Sequence, residues 1–335
     1  MVSRRIVTSY KARYGLNPAI KAGISVIADG IDVHAHARGQ DEEEPLHAAQ
    51  EATRAGMQAL VYKSISPGQP WEVAKQLQED VNRWADQERL RPVKCLSALV
   101  IGIPIGPIDF GRVKAAVAGG VSAIWMPPVT SAWSIHRIGG RGMWFNDGRP
   151  DEPVGPIPWE EALEVGLYVL DEHGRLLPEI RNTVRLAHDH GVAISFGHLS
   201  PQEMEALGEE VSAIGYKRAF IDHPFSEVFT FDIPKLKKWA AQGLRFVLTW
   251  DELSPLLGVD PQDMVAAIRD VGPEHFTLAS DAGIPILPDT VDAYRMLARM
   301  LRAYGVSEPE MRTMMHDSPA EMLGLASPVA AGEAR

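Results

Sequence analysis

The sequence has one cysteine, Cys95, in 335 residues. An intrachain disulfide and a cysteine-rich zinc site are therefore excluded. Long apolar runs are also missing. The longest, such as 99–108, are broken by glycine and proline, and a membrane-spanning helix needs about 20 apolar residues. Positive charge is in deficit: 33 Lys and Arg stand against 44 Asp and Glu, a formal net charge of −11. That balance argues against nucleic acid or an anionic membrane as partner, and leaves room for a local basic pocket that binds an anionic small molecule. The opening MVSRRIVTSYKARYG is basic, but no apolar run of signal-peptide length follows it. A cytoplasmic protein is expected. No glycine-rich phosphate loop with P-loop spacing and no GxSxG elbow is present, and Cys95 lies inside a predicted strand. ATP hydrolysis and Ser or Cys nucleophilic catalysis have little support. Gly139, Gly140 and Gly142 do not follow a strand and open a helix, so a dinucleotide site is discounted as well.

What is present is an alternation of short apolar runs and amphipathic helical stretches. The predicted strands are 30–36, 59–64, 94–102, 122–128, 192–198, 218–224, 245–251 and 276–283. Helical segments such as 45–55, 71–87, 178–190 and 201–214 lie between them and end near Gly or small-residue turns. Eight βα units in one chain predict a closed (β/α)8 TIM-type barrel over 30–325. An open doubly wound sheet is the alternative. Residues 1–29 read as a helix or cap across the barrel bottom, and 326–335 as a disordered tail. The long insert 129–177 after the fourth strand reads as a lid, because it carries aromatics and arginines.

The informative residues sit at predicted strand ends. His34 and His36 are two apart at the end of the first strand, and so share one face. His198 ends the fifth strand, His223 the sixth and Asp281 the eighth. Three or four imidazoles and a carboxylate converging on a barrel's catalytic rim suit a divalent cation with N and O ligands: Zn first, with Mn, Fe, Ni or Co as alternatives. Asp32 alternates with the histidines and is expected to orient a ligand through its backbone neighbours. His188 and His190 fall at a helix end, where a cation suits the dipole. His47, His173, His275 and His316 read as surface or capping residues.

The motif Asp32-Val33-His34-Ala35-His36, the GHLS around His198, the DHP around His223 and the ASDAG around Asp281 together resemble the metal-dependent amidohydrolase superfamily. The stretch DSPAEMLGL at 317–325 is similar to that superfamily's closing helix, so the resemblance runs from about Ile31 to Leu325. Residues 170–204 look like a poorly characterised, amidohydrolase-like group within it. The resemblance implies that His34, His36 and Asp281 bind one metal. It implies that His198 and His223 hold a second, or supply one ligand and one catalytic residue. It also implies that Asp281 takes a proton from the activated water.

One position departs from the pattern. Many dinuclear members place a carboxylated lysine at the end of strand four, where this sequence reads Ile124-Trp125-Met126-Pro127-Pro128. One ion is therefore favoured over two. Lys63 ends the second strand instead, and is assigned to a substrate anion or to an unusual carboxylated bridge. Trp250, Asp251 and Glu252 end the seventh strand, and Ser226 and Glu227 follow His223. Trp250 is the substrate contact chosen among them. In the insert, Arg137 and Arg141 flank a glycine pair between Trp133 and Trp144. Arg137 and Arg141 are read as a fork for a carboxylate or phosphate, and Trp133 as an apolar wall.

These readings lead to a metal-dependent hydrolase acting on a C–N or C–O bond of a small, anionic, cyclic or aromatic substrate. Asp281 and His223 are its catalytic residues. A metal-dependent decarboxylase or hydratase is the alternative, and a non-enzymatic binding protein the third reading. A homo-oligomer is the expected assembly.

Overall fold

The computed structural model describes residues 26–39, 42–63, 65–66, 68–103, 106–139, 156–229, 232–284 and 286–326. Eight strands are present among them: β1 Ile31–Ala35, β2 Ala59–Tyr62, β3 Lys94–Val100, β4 Ala123–Trp125, β5 Ala193–Ser195, β6 Ala219–Asp222, β7 Arg245–Thr249 and β8 Phe276–Ala279. Each pairs in parallel with the next, in the order β1 to β8. The ring closes where Asp281 N–H donates to the His34 carbonyl at 2.9 Å and His36 N–H to the Ala282 carbonyl at 2.9 Å. Helices alternate with the strands, so this is a (β/α)8 barrel, as the eight-unit pattern predicts.

Local chemistry explains the units. The helix Pro178–His190 begins with a proline in its first turn, whose missing N–H has no partner to lose there. It stops at Gly191, left-handed at φ 65°. The helix Pro201–Ala213 opens with a capping box between Ser200 and Glu203. The observed strands are shorter than the predicted runs. His36, Lys63, His198, His223, Trp250 and Asp281 all lie in the first residues after a strand rather than within it.

Side-chain alternation sorts the strands into two layers. Leu60, Ile124, Ile194, Ile221 and Leu278 face outward to the helices. Ala59, Val61, Ala123, Trp125, Ala193, Phe220, Val247 and Ala279 fill the barrel interior. Ala320, Met322 and Leu323 of the C-terminal helix Ser318–Leu323 pack into the same inner layer. That helix lies within the DSPAEMLGL stretch and ends at Gly324, left-handed at φ 66°.

The helices Ala132–Ile138 and Trp159–Val165 form the described part of the insert, tied to each other by a bridge of Ser131 and Leu167. Residues 140–155, with Arg141 and Trp144, lie outside the described residues, as do most of the expected N-terminal cap and C-terminal tail.

Candidate metal centre

Strand β1 does not keep a regular register. Ile31 and Asp32 pair with Ala59 and Leu60, but Ala35 pairs with Tyr62. Three steps along β1 therefore match two along β2. An extra residue of this kind re-aims the side chains beyond it. Ile31 and Val33 fill the barrel interior, and regular alternation would turn His34 outward. The bulge brings it back inside, where its ring lies 5.4 Å from that of Trp125.

On the other strands the inward parity carries straight to the rim. Val61 is followed at the same parity by Lys63, Ala193 by Ser195, Phe220 by Asp222 and Ala279 by Asp281. Asp281 and His223 both take positive φ, 46° and 33°. That backbone strain is concentrated where the side chains meet. Gly283 makes the close return of β8 to β1 possible: a Cβ there would stand 1.9 Å from the His36 carbonyl oxygen.

Five predicted ligands converge. His34 Nε2 and His36 Nε2 each lie 3.0 Å from Asp281 Oδ1. Ligand atoms of these three residues all fall within 4.8 Å of one another. His198 Nε2 and His223 Nε2 face each other at 3.2 Å, and His223 Nε2 is 3.8 Å from Asp281 Oδ2. The His34 and His223 ring centres are 6.3 Å apart.

The tautomer of His34 tests whether a cation fits. Its Nδ1 lies 3.1 Å from Asp222 Oδ1. The other Asp222 oxygen accepts from Trp125 Nε1 at 2.8 Å and from the Ser195 hydroxyl. Burial works against the Asp222 charge, but His34 beside it and the Lys63 ammonium hold its carboxyl well below the usual carboxylate range. A carboxylate only accepts, so His34 Nδ1 carries the proton and Nε2 the lone pair. That Nε2 is buried and makes no hydrogen bond, although it faces a carboxylate oxygen at 3.0 Å. Burial also lowers the pKa of His34 to about 4. Two electron pairs that close, with no proton between them, mark a position for a cation. The donor set of imidazoles and one carboxylate suits zinc and its neighbours.

The surrounding groups hold these side chains. Burial opposes a charge on His36, but hydrogen bonds to Asp281 and Glu42 raise its pKa to about 9. Glu42 Oε1 is 3.8 Å from His36 Nδ1. Asp281 is held well below its ordinary range by the His34 and His36 side chains and by Lys63, against the cost of burial. His198 Nδ1 lies 3.2 Å from Ser134 Oγ, and His223 Nδ1 lies 3.0 Å from Ser226 Oγ. Burial lowers the pKa of both rings. Asp32 Oδ1 accepts from the backbone N–H of His34 at 3.0 Å and of Ser280 at 3.1 Å, stitching β1 to the end of β8.

The predicted substrate contacts divide. Lys63 is buried at the same rim, and its ammonium lies 5.8 Å from the centre of the Trp125 ring. Trp250 begins the one-turn helix Trp250–Leu253 after β7 and packs against the outer core. Its neighbour Asp251 has a buried Oδ1 without a hydrogen bond. Burial and the nearby Asp281 push the Asp251 carboxyl well above its ordinary range. Trp133 Nε1 donates to the Val228 carbonyl at 2.9 Å. Arg137 is exposed, stacks over Trp133 at 5.7 Å and donates to the Glu227 carbonyl at 3.2 Å. These two residues thus brace the insert against the loop after β6.

Asp222, Ser134 and Glu42 are the functional neighbours that sequence reading missed. Asp222 carried a signal: it stands inside the DHP motif at the parity of inward Phe220. Glu42 was hidden in an acidic run, and Ser134 had no signal.

A model of a group described as a family of unknown function (DUF6282) matches residues 29–246. No curated protein matches the chain. Among solved structures, an amidohydrolase from Pseudomonas aeruginosa is 13% identical with a TM-score of 0.59, covering 90% of this chain and 97% of the other. A probable dipeptidase from Pseudomonas aeruginosa is 12% identical with a TM-score of 0.57, covering 95% and 98%. A metallo peptidase from Rhodobacter sphaeroides, liganded with a phosphinate mimic of a dipeptide, is 13% identical with a TM-score of 0.53, covering 89% and 99%. At these identities the likeness is one of fold. It is the (β/α)8 barrel fold that the eight-unit pattern leads one to expect.

Proposed function

Because the chain belongs to the family of unknown function DUF6282, whose description assigns no reaction, we propose its chemistry from the site: a metal-dependent hydrolase that cleaves a C–N or C–O bond of a small molecule. Amides, cyclic amides, lactones and ring amines are the candidate bonds. One observation carries the reading. The lone pair of His34 Nε2, forced into that state by Asp222, faces Asp281 Oδ1 at 3.0 Å with His36 Nε2 on the same oxygen.

His34, His36 and Asp281 would hold the cation, zinc first among the candidates, and His198 and His223 would complete its shell or hold a second one. A divalent ion held there would lower the pKa of a water from about 15.7 towards 7 and polarise a carbonyl. The protein's own groups do the rest. Asp281 is ionised and accepts the water proton on Oδ2, the oxygen nearer His223. If the cation leaves His223 free, its Nε2, 3.8 Å from that oxygen, would pass the proton to the leaving group. Its ring is steadied by Ser226 and by the nearly parallel ring of Phe229. Lys63 is buried at the same rim, where its ammonium would face an anionic oxygen of the substrate.

Metal content per chain, measured by elemental mass spectrometry on protein purified without chelator, tests this first. About one equivalent fits the triad alone, and about two fits occupation of the His198 and His223 side as well. A chain that neither contains nor takes up a divalent metal would overturn the reading. Product analysis with isotopically labelled water separates hydrolysis from decarboxylation: label in the product supports the first, and released CO2 without label the second.

A further inference from the structure

The rim carries two further titratable groups outside the ligand set, Lys63 and Asp251, and the register places them. In β7 and β8, Thr249 pairs with Ala279, so Asp251 and Asp281 each stand two residues beyond a matched pair. In β1 and β2, Ala35 pairs with Tyr62, and the next residue, Lys63, donates its N–H to the Ala35 carbonyl at 3.0 Å. Going around the rim, the order is Asp251, Asp281, His34 with His36, and Lys63. The ligand triad therefore sits between a carboxyl group on one side and an ammonium on the other.

Neither group has a direct partner at its buried polar atoms among the described residues. Lys63 is 6% exposed and forms no ion pair among the described residues. Its ammonium lies 5.8 Å from the centre of the Trp125 ring, and its charge acts on Asp222 and Asp281 without forming an ion pair with either. Asp251 Oδ1 is buried and accepts no hydrogen bond. The two groups are close enough for Lys63 to act on Asp251, yet they do not touch. Leaving two such groups buried and unpaired costs more than pairing or deleting them. A ligand that reaches both removes that cost.

We propose that Lys63 and Asp251 form a specificity-determining pair, which requires of the substrate an anionic oxygen on the β2 side and an N–H-bearing nitrogen on the β7 side, with the reacting bond between them over the ligand triad. The assignment of the reacting bond rests on the hydrolase reading, but the recognition of the two ends does not. Arg137 is engaged with a loop carbonyl and an indole, whereas Lys63 and Asp251 lie at the triad itself.

The test is binding rather than turnover. Straight-chain ω-amino acids of increasing length are titrated calorimetrically into the zinc-loaded full chain, beside carboxylates and amines of the same lengths. At one chain length the ω-amino acid should bind at least about tenfold more tightly than either singly charged analogue. Lys63→Met should reduce it to the affinity of the amine, and Lys63→Arg should retain the gain. Asp251→Asn should reduce it to the affinity of the carboxylate at unchanged zinc content. Equal binding of all three probe classes at every length overturns the proposal. So does an Asp251→Asn variant that loses zinc while its probe preference, measured at saturating zinc, persists. Failure of the hydrolase reading would appear instead in the metal content and the product screen.

Discussion

At the scale of single residues, the site is governed by which nitrogen carries which proton. Asp222 is the residue that readies His34 for the proposed role of ligand, since its carboxylate fixes the proton on Nδ1. Partners of this kind are worth about 10–100-fold in metal affinity. Asp222→Asn should thus weaken zinc binding by that factor in a chelator-competition titration while leaving a folded barrel. An unchanged affinity would free His34 from this control. His34→Ala should lose the metal altogether. Asp281→Asn should lose turnover by orders of magnitude, and near-native rates in that variant would sink the assigned mechanism.

His36 adds a pH dependence. Its pKa is raised to about 9 in the metal-free protein, because the Asp281 and Glu42 hydrogen bonds outweigh burial. Below pH 9 an arriving cation must displace that proton, so affinity rises with pH. One proton gives about tenfold per pH unit. Zinc affinity should climb between pH 7 and 9 and flatten above. Glu42→Gln removes one group that raises the pKa, and should move the plateau to lower pH. A pH-independent affinity across that range would show that His36 takes no part.

At the scale of elements, the bulge in β1 and the tight return of β8 are what turn a run of strand ends into a site. Gly283, at φ 99°, has the His36 carbonyl oxygen where a Cβ would be. Gly283→Ala should destabilise the protein by about 2 kcal/mol or more in chemical denaturation. It should also lower metal occupancy, because the same displacement moves His36. A variant that melts like the wild type with full metal would contradict this account. The insert contributes in a different way. Ser131 caps the helix Ala132–Ile138 through the Ser134 N–H, and its hydroxyl donates to the His198 carbonyl at 2.5 Å. Ser134 on the same helix reaches the His198 ring. A segment predicted as a lid thus also supports a candidate ligand from behind.

At the scale of the whole molecule, the barrel separates stability from chemistry along its axis. The C-terminal helix places Met322, fully buried, in the inner layer. Met322→Ala should cost about 2–5 kcal/mol through the cavity it leaves. Metal content and pH dependence should stay unchanged, because the affected contacts belong to the inner layer and not to the rim. Loss of metal in that variant would mean that the two are coupled. Removing the metal by chelation should lower the melting temperature, since an ion that binds only the folded state stabilises it by mass action.

The eight βα units and the barrel were legible in the sequence because alternation of apolar strand and amphipathic helix is a local pattern. His34, His36, His198, His223 and Asp281 were legible because each follows an apolar run, and a barrel brings strand ends to one rim. The direction of side chains was not legible. Ideal alternation places His34 opposite the inward Ile31 and Val33, and only the unequal register between Asp32 and Ala35 turns it in. Strand pairing sets that register, and pairing is a property of two segments far apart in the chain. The proton on His34 likewise depends on Asp222, 188 residues away. The sequence by itself therefore determined the architecture and the residue types at its rim. Tertiary structure alone decided which lone pairs face each other and which buried polar atoms are left without a direct partner, because distance and direction between strands appear only when the ring closes.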